Sequence, residues 1–156
     1  MRRDLSFLKV SDYSFPFREI RGHDDELHLN DSEIESVTTG AGVYIIVSED
    51  KTKFVYPKGI SPVIYIGKAD NLRRRLKEHL SHLNDLVANE EDDMKQHIQR
   101  CSRYQYIKYY GAHVYTFRCL KKTQDAKELE SQILWKFYER YRSLPVGNGA
   151  RSFGKG

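Results

Sequence analysis

The sequence predicts one α/β (α+β) domain, and three observations carry that prediction. Short runs rich in β-branched and aromatic residues recur at 43–47, 63–66 and 113–120, the composition that suits a half-buried pleated surface. Between and after them, apolar residues recur with helical period over 72–87 and from Lys122 or Thr123 to about Arg142. At 156 residues the chain can bury a core without disulfide or metal staples, and no internal repeat, low-complexity tract or linker divides it.

Taken in order, residues 1–38 mix Phe7, Leu8, Phe15 and Phe17 with many charges and no sustained period. They read as an N-terminal arm whose aromatics pack on the core of a domain formed by residues 39–156. A short helical turn begins at Asn30 or Asp31, and the glycines before Val43 break it. A strand follows at 43–47, then a turn, a weaker strand near 54–56, and a loop marked by Pro57, Gly59 and Pro62. After the strand at 63–66, Asp70 or Asn71 is available to cap the next helix. An acidic stretch at 89–93 starts a further predicted helix through about Cys101, with its negative charge at the favourable end of the dipole. Residues 104–110 are aromatic and interspersed with lysine until Gly111. The last long helix ends before Pro145.

The net charge of +4 and a pI near 9.0 suit an anionic partner, but alone they separate nucleic acid from acidic protein only weakly. Two cysteines, Cys101 and Cys119, have neither a C-x-x-C pairing nor ligand spacing. They read as reduced thiols of an intracellular, cytoplasmic protein. The apolar runs fall far short of the roughly 20 residues that span a bilayer, and no apolar segment follows the N-terminal Met-Arg-Arg-Asp. A soluble, unprocessed chain is expected.

Helical geometry sorts the charges. At about 100° per residue, Leu72, Leu76, Leu80, Leu83, Leu86 and Val87 share a face with His79 at its centre and Arg75 on its edge. Arg73 and Arg74 point away. On the last helix, Ala126, Leu129, Ile133, Phe137 and Tyr141 define the buried stripe, and Glu130 falls inside it. A carboxylate there costs several kcal/mol unless it is paired, protonated or bound to a metal. The plain reading of Glu130 is an ion pair, that of His79 a hydrogen-bonded core histidine, and that of Tyr44 and Tyr65 ordinary strand residues.

Together these residues suit phosphodiester cleavage, which needs an activated water, neutralised phosphoryl oxygens and a stabilised leaving alkoxide. A tyrosine phenol takes the water's proton if Lys68 and Arg75 lower its pKa. Arg75 grips a phosphate oxygen, and Glu130 holds one Mg2+ or Mn2+ that keeps most of its waters. Arg73, Arg74 and Lys77 neutralise backbone phosphates, or else form a merely solvated face. The tyrosines around Lys108 stack unpaired bases or, more simply, pack.

Gly42-Val43-Tyr44, Tyr65-Ile66-Gly67-Lys68-Ala69, Arg75 eight positions after Gly67, His79 four after Arg75, and the run from Ala126 to Glu130 together resemble the GIY-YIG nuclease family over roughly residues 40–148. The resemblance implies a small central three-stranded antiparallel sheet flanked by helices, and metal-dependent endonuclease activity on DNA. It implies Tyr44 as the favoured general base, Tyr65 as the group that positions nucleophile or phosphate, Arg75 as the motif arginine and Glu130 as the metal-binding glutamate. Asn148 matches the asparagine that supports the site in many members. The segment between Tyr44 and Tyr65 is lengthened by an inserted hairpin around 51–62. Two other readings stand beside this one: a nucleic-acid-binding module without turnover, and a restriction- or toxin-type nuclease that takes its specificity from a partner. RNA is a further possible substrate.

Overall fold

The computed structural model describes residues 23–50, 52–88, 102–119 and 123–148. The acidic helix expected at 89–101 and the aromatics of the first 22 residues lie outside these. Six strands and four helices are described: β1 (Asp25–His28), α1 (Asp31–Ile34), β2 (Gly42–Val47), β3 (Phe54–Tyr56), β4 (Gly59–Ser61), β5 (Val63–Ala69), α2 (Leu72–Ala88), α3 (Ser102–Tyr110), β6 (His113–Arg118) and α4 (Thr123–Tyr141). Strands β1, β6, β2 and β5 form one antiparallel sheet in that order, while β3 and β4 form a separate hairpin inside the inserted segment.

Every residue of β2 is buried because the central strand is covered on both faces, which removes the polar half of the usual alternation. Val43, Ile45 and Val47 pack with Phe117 of β6 and with Ile133, Phe137 and Tyr141 of α4. On the other face Tyr44 and Ile46 pack with Ile34, Leu72, Leu76, Tyr104 and Ile107, from α1, α2 and α3. The sheet is therefore a middle layer, with α4 on one side and three helices on the other.

The sheet has one strand more than the expected three. β1 comes from the arm read as irregular, and its four residues bury only Leu27, too little apolar signal for a strand to stand out. Hydrogen bonds hold it: Asp24 N–H donates to the Thr116 carbonyl at 2.7 Å, and the Asp24 carboxylate accepts from Arg118 N–H at 2.6 Å. The aromatic run at 104–110 is helical, because its buried Tyr104 and Ile107 lie three apart on one face, where packing overrides weak aromatic helix propensity. Gly111 ends that helix in the left-handed region at φ 74°, its N–H donating to the Ile107 carbonyl at 2.9 Å. Among the described residues no helix is long and apolar enough to cross a membrane.

Candidate active site

Tyr44 and Gly67 are directly opposite each other across β2 and β5. A Cβ at position 67 would collide with the Tyr44 hydroxyl and with the edge of the Tyr65 ring, so only glycine lets the two phenols close over this point of the sheet. The tyrosine rings lie with centroids 5.9 Å apart. Asn71 starts α2 by accepting from Arg74 N–H at 3.0 Å, and the helix then carries His79 inward over the same pair.

The Tyr44 hydroxyl sits 2.5 Å from His79 Nε2, and His79 Nδ1 sits 2.8 Å from the Tyr104 hydroxyl. Both Tyr44 and His79 are fully buried. Burial pushes the His79 pKa down to about 3, with the guanidinium groups of Arg75 and Arg103 adding to the effect, so the ring is neutral. A neutral imidazole that accepts from Tyr44 at Nε2 donates from Nδ1 to Tyr104, which makes the three side chains one directed chain. Burial also pushes the Tyr44 phenol well above the ordinary tyrosine range; Tyr65 reinforces this, while Arg75 and Arg103 oppose it. This corrects the expectation that nearby cations would lower a phenol's pKa. Desolvation outweighs them, and Lys68 is not among the groups acting on Tyr44.

Arg75 lies against Tyr44 and pairs with Glu78, Nη1 to Oε2, at 2.8 Å. Arg103 stacks on Tyr65 with its guanidinium carbon 4.1 Å from the ring centroid, and its buried Nε has no hydrogen-bond partner. Two guanidinium groups thus converge on the tyrosine pair.

The other expected site residues take two further positions. Lys68 is opposite Val43 and so faces α4, not Tyr44. It is the charge that acts on Glu130, whose pKa burial pushes up and Lys68 pulls back. A cleft lined by Lys68, Asp70, Arg74, Arg75, Glu78 and Ala126, the last one turn before Glu130, lies at this end of the sheet. The Asn148 carboxamide is bonded to the backbone of Ile66. Of the three cations expected to meet phosphates, Arg73 donates from Nε to the Val37 carbonyl at 2.8 Å and Lys77 pairs with Glu35 at 2.6 Å. Arg74 alone of the three lines the cleft.

Sequence reasoning missed Arg103, Tyr104 and Glu78. Arg103 is one of 26 lysines and arginines, and only the fold of α3 over β5 distinguishes it. Tyr104 stood out only as one member of an aromatic run. Glu78, three residues after Arg75, is a legible helix-surface partner.

A half-buried carboxylate beside a single ammonium offers one protein ligand, the donor set that a hard divalent ion with several retained waters accepts. Fold and cleft together define a small antiparallel α/β domain with a cleft that holds Lys68, Arg74 and Arg75 at one end of its sheet, beside a buried tyrosine pair. The family described as GIY-YIG domain-containing protein matches residues 33–152, and the chain belongs to it. Members of that family are typically endonucleases. No curated protein and no solved structure gives a significant match.

Proposed function

We propose that the protein is a metal-dependent endonuclease that hydrolyses DNA phosphodiester bonds. The observation that carries this reading is the Tyr44 hydroxyl held 2.5 Å from a neutral imidazole, with Arg75 and Arg103 set against the same tyrosine pair. A base that must accept the water's proton needs somewhere to send its own. His79 Nε2 lies on that path, and the negative charge of a phosphate bound at Arg75 and Arg103 offsets the two guanidinium groups that weaken the ring as a base, so Tyr44 works as a relay instead of a free phenolate.

Arg75 and Arg103 bind the phosphoryl oxygens, and Arg74 contacts the adjoining backbone. Tyr44 is closed off from solvent, so the site has to open before water reaches the phenol; Glu78 pairs with the Arg75 guanidinium beside it. Tyr65 positions the phosphate under Arg103. Bound at Glu130, Mg2+ or Mn2+ supplies polarisation of the phosphate and stabilisation of the leaving oxygen. Lys68 offsets part of the burial that pushes the Glu130 pKa up, and Asn148 fixes the strand that carries Tyr65, Gly67 and Lys68.

The test incubates purified wild type and Glu130→Gln with plasmid, single-stranded, branched and flap DNA, and with RNA, in Mg2+ and in Mn2+. Cleavage by wild type to defined 5′-phosphate ends, lost in Glu130→Gln while DNA binding persists, supports the reading. Binding by both proteins with cleavage by neither, on every substrate and metal, makes this a binding module.

A further inference from the structure

The opposite end of the sheet carries a second cluster of polar groups that the cleavage reading does not use. His28 of β1 and His113 of β6 are directly opposite each other in the ladder, and their rings meet edge to face with centroids 5.0 Å apart. His113 is in turn opposite Val47 of β2, and Glu49, two residues further along, bonds through Oε1 to His28 Nδ1. One ligand atom from each of His28, Glu49 and His113 lies within 4.8 Å of the other two. Glu26, on the same face of β1 as His28, brings a second carboxylate to His113 Nε2 at 2.9 Å.

Three chain segments therefore converge to present two imidazoles and a carboxylate, with a second carboxylate bonded to Nε2 of His113. Cross-strand opposition fixes the Cβ atoms of the two histidines roughly 5 Å apart, the spacing from which two imidazoles reach one ion. Ligands of a tetrahedral ion with bonds of about 2.0–2.1 Å lie about 3.3 Å from one another, so small side-chain rotations close the observed envelope. As ordinary ion pairs, His28 with Glu49 and His113 with Glu26 would each contribute little. When His113 ligates through Nδ1, Glu26 at Nε2 supplies the carboxylate support usual for such a ring.

The geometry points to a binding site for a zinc-class divalent ion at His28, His113 and Glu49. Imidazole ligands select borderline first-row ions over Mg2+, so the site is chemically distinct from the one at Glu130. It is also separate in space. Val43, opposite Lys68, and Val47, opposite His113, are four residues apart on β2, about 13 Å. A bound ion would tie β1 and the segment after β2 to β6. The same segment is held to the end of α3, where Glu49 N–H donates to the Tyr110 carbonyl at 2.9 Å.

The test uses the full chain freed of metal by chelator and titrated with Zn2+ and with Co2+ in excess Mg2+. The expected result is one equivalent bound, a Co2+ visible spectrum of nitrogen and oxygen ligation, and a higher Tm with Zn2+. His28→Gln and His113→Gln should each weaken binding at least about tenfold, whereas Glu130→Gln leaves it unchanged. His28 is exposed and His113 is partly buried, and circular dichroism verifies that the variants are folded. Binding that survives the double histidine variant, or that disappears in Glu130→Gln, assigns the ion elsewhere and overturns the proposal. Absence of stoichiometric binding overturns it as well and leaves His28 and Glu49 as a plain ion pair.

Discussion

The Asn148 carboxamide pairs with the backbone of Ile66 as a neighbouring strand would: Oδ1 accepts from the Ile66 N–H at 3.0 Å, and Nδ2 donates to the Ile66 carbonyl at 2.9 Å. Gly147 continues the match, its N–H donating to the Ile64 carbonyl at 2.7 Å. β5 is the outermost strand on this side, so without the 147–148 segment its free edge would carry unpaired donors and acceptors. Asn148 is a positioning residue. Asn148→Asp keeps the shape and removes the donor, which sets a carboxylate oxygen against the Ile66 carbonyl. We expect a loss of about 1–3 kcal/mol in urea unfolding, larger than that of an exposed Asn→Asp control. An unchanged midpoint would refute the role.

The proposed mechanism gives Tyr44 and Tyr65 different roles. Tyr44 has an acceptor for its proton in His79, while Tyr65 has a cation on its face. Tyr44→Phe removes only the hydroxyl, and single-turnover cleavage should fall about 10²–10⁴-fold with DNA affinity retained. Tyr65→Phe keeps the ring on which Arg103 stacks and should cost much less. The reverse order would make Tyr65 the base.

Arg103 tests whether the second guanidinium acts by charge or by shape. Arg103→Ala should lower kcat/KM about tenfold to hundredfold and make the salt dependence of DNA binding shallower. Arg103→Lys restores the charge but not the flat stack on Tyr65. It should recover the salt dependence and not the rate. Full recovery of both by lysine would reduce Arg103 to a screening charge.

Why some of this was legible in the chain and some was not follows from the range of each interaction. Strands β2, β5 and β6 and helices α2 and α4 are long and periodic enough to announce themselves, and the placement of His79 at the middle of a helix face needed only the arithmetic of 3.6 residues per turn. β1 was hidden because pairing with β6, not its own hydrophobicity, makes it a strand. The division of the site was hidden for a similar reason: strand parity decides that Lys68 faces α4, which carries Glu130, while Tyr44 and Gly67 face α2, and parity has meaning only once register is known. Arg103 was out of reach because its partner Tyr65 is 38 positions away and belongs to another element.

The burial of His79 sets a pH dependence whose sign is fixed. In the unfolded chain its imidazole takes up a proton as pH falls through about 6.5, whereas the folded ring, pushed down to about 3, does not. Between those values the unfolded state binds more protons. Stability attributable to His79 is therefore complete above pH 6.5 and is lost progressively as pH falls toward 3, by up to ~1.4 kcal/mol per pH unit. Carboxylates whose pKa the fold lowers, among them Glu33 and Glu35, act in the same direction in acid, so the measurement has to be a difference between proteins. His28 acts oppositely: Glu49 raises its pKa, and its contribution is present in acid and fades as pH rises through that raised value. His79→Gln is the appropriate comparison, because a carboxamide can accept from Tyr44 and donate to Tyr104 without titrating. Urea midpoints of wild type and His79→Gln should converge as pH falls from 6.5 toward 3, the variant showing the shallower slope by close to one proton. Parallel curves through that window would mean that His79 is already charged in the folded protein, and Tyr44 would then have no acceptor for its proton.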